Sequence, residues 1–179
     1  MPTSRKLIYN VAASLDGFIT GPDKAVDFYV YEGEHVSDYL AAVQRYGAVV
    51  MGRGTYEVGV AQGVHDPYPQ LETYVFSRTL ARAESERVHV VREPVVPFVK
   101  ALKQEPGSDV YLCGGGELAG ALVAAGLVDE FIVKLNPVLV GAGTPLVTRL
   151  PQPTRLVLAS TKVHAAEGVV TLRYLSRDA

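Results

Sequence analysis

Short, nearly unbroken apolar runs alternate along this chain with longer stretches in which apolar positions recur every three or four residues. The run LIYNVAA, between Lys6 and Ala13, carries β-branched and aromatic residues with little polar alternation, the pattern of a strand buried on both faces. Further runs at Ala48–Gly52, Thr73–Ser77, Val88–Val91, Asp109–Cys113 and Glu130–Leu135 predict more strands of this kind. From Glu34 to Tyr46, Val36, Tyr39, Leu40 and Val43 fall on one helical stripe, with Gly47 placed to close the helix in the left-handed conformation. Thr55 is a candidate cap for a second helix, kept short by Gly59 and Gly63. A third helix spans about Pro94 to Lys103, with Pro94 and Pro97 in its first turn. Leu118, Leu122 and Ala125 mark a fourth, ending at Gly126.

This alternation predicts an α/β fold: a mostly parallel central sheet with flanking helices on both faces. Between Ser14 and Lys24, Asp16-Gly17 and Gly21-Pro22-Asp23 give two turn signals around a short apolar segment. After Pro137 the pattern changes. A Gly/Pro loop at Leu139–Pro145 leads into Arg155–His164 and Val169–Leu175, which predict a C-terminal antiparallel hairpin joined to the sheet.

Composition narrows the picture. With 179 residues, 48% of them hydrophobic, the expectation is a single domain over residues 1–179 with a continuous core. Seventeen Lys and Arg against nineteen Asp and Glu give a net charge of −2, which supplies no electrostatic reason to seek nucleic acid or an anionic membrane. The one cysteine, Cys113, forms neither an internal disulfide nor a cysteine-based zinc site by itself, which suits a reducing compartment, and the expected location is cytoplasmic. No signal peptide is expected, and no apolar run approaches the ~18 residues of a membrane helix. His35, His65, His89 and His164 lack metal-ligand spacing, so no metal site is expected.

Three segments carry candidate chemistry. Gly114-Gly115-Gly116-Glu117 follows an apolar strand and opens a helix, where free amides and the helix dipole favour a phosphate. Gly52-Arg53-Gly54-Thr55 stands in the same relation to an earlier strand, and a guanidinium there suits an anion. Ser77-Arg78-Thr79 follows a third strand and offers the charge and paired donors that fit the 2′-phosphate distinguishing NADPH from NADH. Each alone also reads as an ordinary turn or helix cap. Together they lie at the carboxyl ends of parallel strands, the edge where ligand crevices open in such sheets. An ordinary Rossmann domain is disfavoured, because its glycine fingerprint belongs after the first strand, and here that strand runs into Ala13-Ser14-Leu15-Asp16.

The segments NVAASLDGFITGPD, VVMGRGTYE, YVFSRT, VYLCGGGELAGALVAAGLVDEF and KLNPVLVGAG, in this order over roughly residues 5 to 175, resemble the dihydrofolate-reductase-like family that includes the RibD C-terminal reductase domain of riboflavin biosynthesis. The resemblance implies NADPH as cofactor. It implies that Val11, Ala12, Ile19 and Thr20 cradle the nicotinamide and that Gly52, Arg53 and Thr55 lie near the pyrophosphate and adenosine ribose. Ser77, Arg78 and Thr79 would hold the 2′-phosphate. Gly114, Gly115, Gly116 and Glu117 would line the pyrophosphate and nicotinamide side, with Leu118 packing beneath. A cis Gly114–Gly115 peptide and a homodimer, paired through sheets or through the hairpin with Val169–Leu175 as an apolar edge, are also implied.

The resemblance implies an oxidoreductase acting on a small pyrimidine or pterin-like heterocycle, with 5-amino-6-(5-phosphoribosylamino)uracil as one candidate. No HxE with PCxxC is present, so the deaminase half found in bifunctional relatives is missing. The proton donor is not singled out by spacing. Asp27, in the segment DFYVYEGE with Glu32 and Glu34, is the candidate catalytic acid, against the competing reading of a solvated loop carboxylate. Tyr29, Tyr31 and Tyr56 suit stacking on a planar substrate or plain packing equally, and Cys113 reads as an inert buried thiol. The alternative function is an NADPH-binding sensor or assembly protein without efficient turnover; a purely structural domain is the third.

Overall fold

The computed structural model describes residues 4–83 and 85–177. In chain order the elements are β1 (Leu7–Ser14), β2 (Phe18–Thr20), α1 (Glu34–Val43), β3 (Ala48–Gly52), α2 (Arg53–Ala61), β4 (Glu72–Phe76) and β5 (Val88–Val91). There follow α3 (Val95–Gln104), β6 (Val110–Gly114), α4 (Gly116–Ala124), β7 (Glu130–Asn136), β8 (Thr144–Pro145), β9 (Leu156–His164) and β10 (Val169–Ser176).

Eight strands form one sheet in the order β5-β4-β3-β6-β1-β7-β10-β9. The first six are mutually parallel, and the β9/β10 hairpin adds antiparallel to β7. The parallel strands are apolar on both sides because both faces are covered. On one face, Tyr9, Val11, Val50 and Leu112 pack with Val99 and Leu102 of α3 and Ala119, Leu122 and Val123 of α4. On the other, Ile8, Val49, Met51 and Tyr111 pack with Val43, Tyr46 and Tyr56 from the α1 and α2 region.

Several local expectations are corrected. Helix α1 stops at Val43, and Gly47 does not close it in the left-handed conformation. Gly47 instead accommodates close approach, since a Cβ there would meet Arg5 and the Ser108 backbone at 3.1–3.3 Å. Thr55 is not a helix cap: α2 begins at Arg53 with Gly52 in the N-cap position, which places Thr55 inside the first turn. Gly59 lies within α2, while Gly63, at φ 77°, follows its end. The Gly/Pro loop contains a two-residue strand, β8, paired with β2. Val169–Leu175 is not an edge, because β10 is held between β7 and β9; the edge on this side of the sheet is β9, with Val157, Leu158 and Val163 46%, 53% and 67% exposed.

Candidate nucleotide and substrate cleft

Strands β4, β3, β6 and β1 are neighbours and point the same way, so Phe76, Gly52, Gly114 and Ser14 end on one edge of the sheet. The three segments singled out in the sequence leave from the first three of these ends. They converge. Arg53 Nη1 donates to Thr79 Oγ1 at 3.2 Å. A Cβ built on Gly52 would lie 3.8 Å from the Gly115 amide nitrogen, and Cβ atoms on Gly114 and Gly115 would lie 3.4 and 3.5 Å from Thr55 Oγ1. The Gly114–Gly115 peptide is cis, and Gly114 has φ 139°.

Helices α2 and α4 both start at this edge behind glycine N-caps, and neither takes a side-chain cap. Their first-turn amides and positive dipole ends therefore face the same region as Arg53, Arg78 and Thr79. Arg78 and Thr79 are exposed, while Ser77 is buried and turns the chain, its Oγ accepting from the amides of Thr79 at 3.2 Å and Leu80 at 2.9 Å. Arg53 also faces Glu57 at 3.5 Å, and the Lys24 ammonium joins Glu57 at 3.0 Å. Lys24 is thus a third cation at this rim, beside Arg53 and Arg78.

The glycines divide into two kinds. Gly114 and Gly115 stand open beside Thr55, whereas a Cβ on Gly116 would collide with the Pro145 carbonyl and one on Gly120 with the Thr148 carbonyl. The Thr148 amide donates to the Gly116 carbonyl at 3.1 Å, so Gly116 lets the loop after β8 lie against α4. Glu117 pairs with Arg149 at 2.8 Å on the surface, and Leu118 packs against the core.

At the β1 end, Val11 and Ile19 are buried in the core and Ala12 is half-buried. The Tyr29 hydroxyl donates toward the carbonyls of Ala12 at 3.0 Å and Ile19 at 2.9 Å, which ties the loop before α1 across the strand end. Thr20 and Thr144 hydroxyls meet at 2.9 Å. Asp16 holds the neighbouring loop: its carboxylate accepts from Ser14 Oγ at 2.6 Å and from the amides of Gly141 at 2.7 Å and Val140 at 3.1 Å. Those bonds, Ser14 first, hold its pKa below the ordinary value. Asp27 lies exposed in the preceding loop, where its charge bears on Tyr31. Tyr31 is 60% exposed and Tyr56 is a core residue at 4%.

His35 and His164 are both buried, with ring centroids 5.6 Å apart. Among the described residues, no group of three or more His, Cys, Asp or Glu gathers to hold a metal ion, and no helix is long and apolar enough to cross a membrane.

A mostly parallel sheet covered by helices on both faces and extended by an antiparallel hairpin defines a dihydrofolate-reductase-like fold. The chain belongs to the RibD C-terminal domain family, which matches residues 5–170. It is 37% identical over 160 residues to the uncharacterized protein YwjB of Bacillus subtilis, covering 88% of this chain and 91% of that protein. A putative riboflavin biosynthesis protein from Shewanella sp. PV-4 superposes with a TM-score of 0.83 at 22% identity, covering 96% of this chain and 99% of that one. Acinetobacter baumannii RibD superposes with a TM-score of 0.74 at 18% identity over 97% of this chain and 58% of its own.

Proposed function

We propose that this protein is an NADPH-dependent reductase of a small pyrimidine or pterin-like heterocycle. The observation that carries the reading is the junction of Arg53, Thr79, Thr55 and the Gly114–Gly115 turn at the ends of three adjacent parallel strands. The donor set fits a dinucleotide: two helix N-termini without side-chain caps suit a pyrophosphate, and the exposed Arg78 with Thr79 suits a 2′-phosphate. Val11, Ala12, Ile19 and Thr20 would hold the nicotinamide, with the Tyr29 hydroxyl fixing the backbone beside it.

When bound, reduced nicotinamide supplies hydride to an electrophilic carbon. The protein's part is orientation, exclusion of water and delivery of a proton. Membership of the RibD C-terminal family makes 5-amino-6-(5-phosphoribosylamino)uracil the first compound to test. A cytoplasmic homodimer of single-domain chains is part of the proposal, with the apolar β9 edge as the pairing surface.

The test is calorimetric titration with NADPH and NADH, followed by NADPH oxidation against pterins, pyrimidine phosphates and dicarbonyls. Preferential NADPH binding and oxidation with one compound is the expected result. Tight binding with no oxidation by any compound would instead favour a sensor or assembly role, and no affinity for either nucleotide would leave only a structural domain.

A further inference from the structure

Beneath α1, strands β6, β1 and β7 bring one buried cation against a wall of hydroxyl groups. Parallel register sets Lys134 of β7 beside Ala12 of β1, so the two side chains leave the same face of the sheet, two residues before Asn136 and Ser14 at the strand ends. Lys134 is 9% exposed. Its Nζ donates to Asn10 Oδ1 at 2.7 Å and lies 4.5 Å from the Tyr39 ring centroid. The Tyr39 hydroxyl hydrogen-bonds those of Tyr68 at 2.9 Å and Tyr111 at 3.1 Å, and Tyr68 reaches Cys113 Sγ at 3.4 Å. Cys113 directly precedes the Gly114–Gly115 turn.

Among the described residues no carboxylate pairs with Lys134, and of its three donors only one has an acceptor. A buried ammonium left so poorly satisfied costs free energy, so packing does not account for it. Burial lowers its pKa to about 7, poised to exchange a proton near neutrality. Burial also pushes the Cys113 thiol and the Tyr68 and Tyr111 phenols up, and the Tyr39 phenol up to about 12, so these neighbours stay protonated and neutral. Ala12, Tyr39, Tyr68 and Cys113 are each half-buried rather than fully enclosed.

We propose that Lys134 is the proton donor of the reduction, acting on a planar substrate that lies against Tyr39 and Tyr68. The inference rests on the reductase reading. As the carbon of a C=N or C=O group gains hydride from reduced nicotinamide, an N–H bond of the Lys134 ammonium breaks. The proton bonds to the substrate nitrogen or oxygen, and the neutral amine regains a proton from water.

The test has two arms on the NADPH-saturated protein. In the first, cyanate labels neutral amines at neutral pH and peptide mass spectrometry locates them. Lys134 should react about tenfold faster than a blocked free lysine added as internal competitor, because a far larger fraction of it is neutral. Lys134 left unlabelled while the competitor reacts means it is sealed from the cleft, and overturns the assignment. In the second, Lys134→Met should keep NADPH affinity within about twofold while kcat falls about a hundredfold or more. The wild-type decline in kcat as pH rises through the lysine's titration should vanish in the variant. A variant with wild-type kcat overturns the lysine assignment alone, whereas wild-type protein that binds no NADPH or reduces nothing sinks the reductase reading itself.

Discussion

Arg53 and Thr79, which follow different strands and stand 26 positions apart in the chain, meet at 3.2 Å because β3 and β4 are parallel neighbours of matched length. The contact fixes the guanidinium over the rim of the cleft, with Arg78 exposed beside it.

Arg78→Ala should therefore discriminate between the two nicotinamide cofactors. Loss of one exposed charge-assisted contact to the 2′-phosphate is expected to weaken NADPH binding about tenfold, by the low end of such contacts. NADH affinity should stay unchanged. Calorimetry on both nucleotides checks this, and equal weakening of both would remove the 2′-phosphate role.

The two kinds of glycine should separate on substitution. Gly116→Ala forces a Cβ into the Pro145 carbonyl and should destabilise the fold by about 1–3 kcal/mol, seen in urea melts. Gly52→Ala meets nothing closer than 3.8 Å, so stability should fall by no more than about 1 kcal/mol, the cost of an alanine N-cap, while NADPH affinity drops. A larger loss of stability with affinity unchanged in Gly52→Ala would assign that glycine to the fold.

The strands and helices were legible because burial on both faces leaves continuous apolar runs and covering helices leave stripes, as at Leu7–Ser14 and around Val99 and Leu102. The approach of Arg53 to Thr79 and of Gly52 to Gly115 was legible for a similar reason: strand ends sharing one direction share one edge. Local chemistry misled where packing overrode it, as with Gly47, which makes room for Arg5 and Ser108 rather than a left-handed cap. The cluster around Lys134 was not legible. It depends on β1 lying between β6 and β7, an order that strand patterns do not specify. A lone lysine inside EFIVKLN was its one visible trace.

Burial lowers Lys134 from its ordinary 10.5 to about 7, and this has a consequence for stability. Between those two values the unfolded chain binds more protons, so wild-type stability should rise with pH across that window. Below it both states are protonated and the full penalty applies; above it both are neutral and the penalty is gone. Lys134→Met should be the more stable protein at pH 6, less about 1 kcal/mol for the lost Asn10 bond. Its advantage should shrink toward pH 10, and urea melts showing a pH-independent difference would contradict the buried, depressed amine.

Pairing through β9 makes a separate prediction. A nine-residue edge strand with Val157, Leu158 and Val163 exposed is a template for a second copy. Val163→Lys should convert a dimer to a monomer in sedimentation without altering the fold. A wild-type protein that already sediments as a monomer would withdraw the dimer.

Backbone amide NMR during titration with NADPH tests the shared cleft most directly. The amides of Arg53, Gly54, Arg78, Thr79, Gly115 and Gly116 should shift together at one saturating concentration. Shifts confined to one of these segments, or scattered elsewhere on the molecule, would contradict a single dinucleotide site at the ends of β3, β4 and β6.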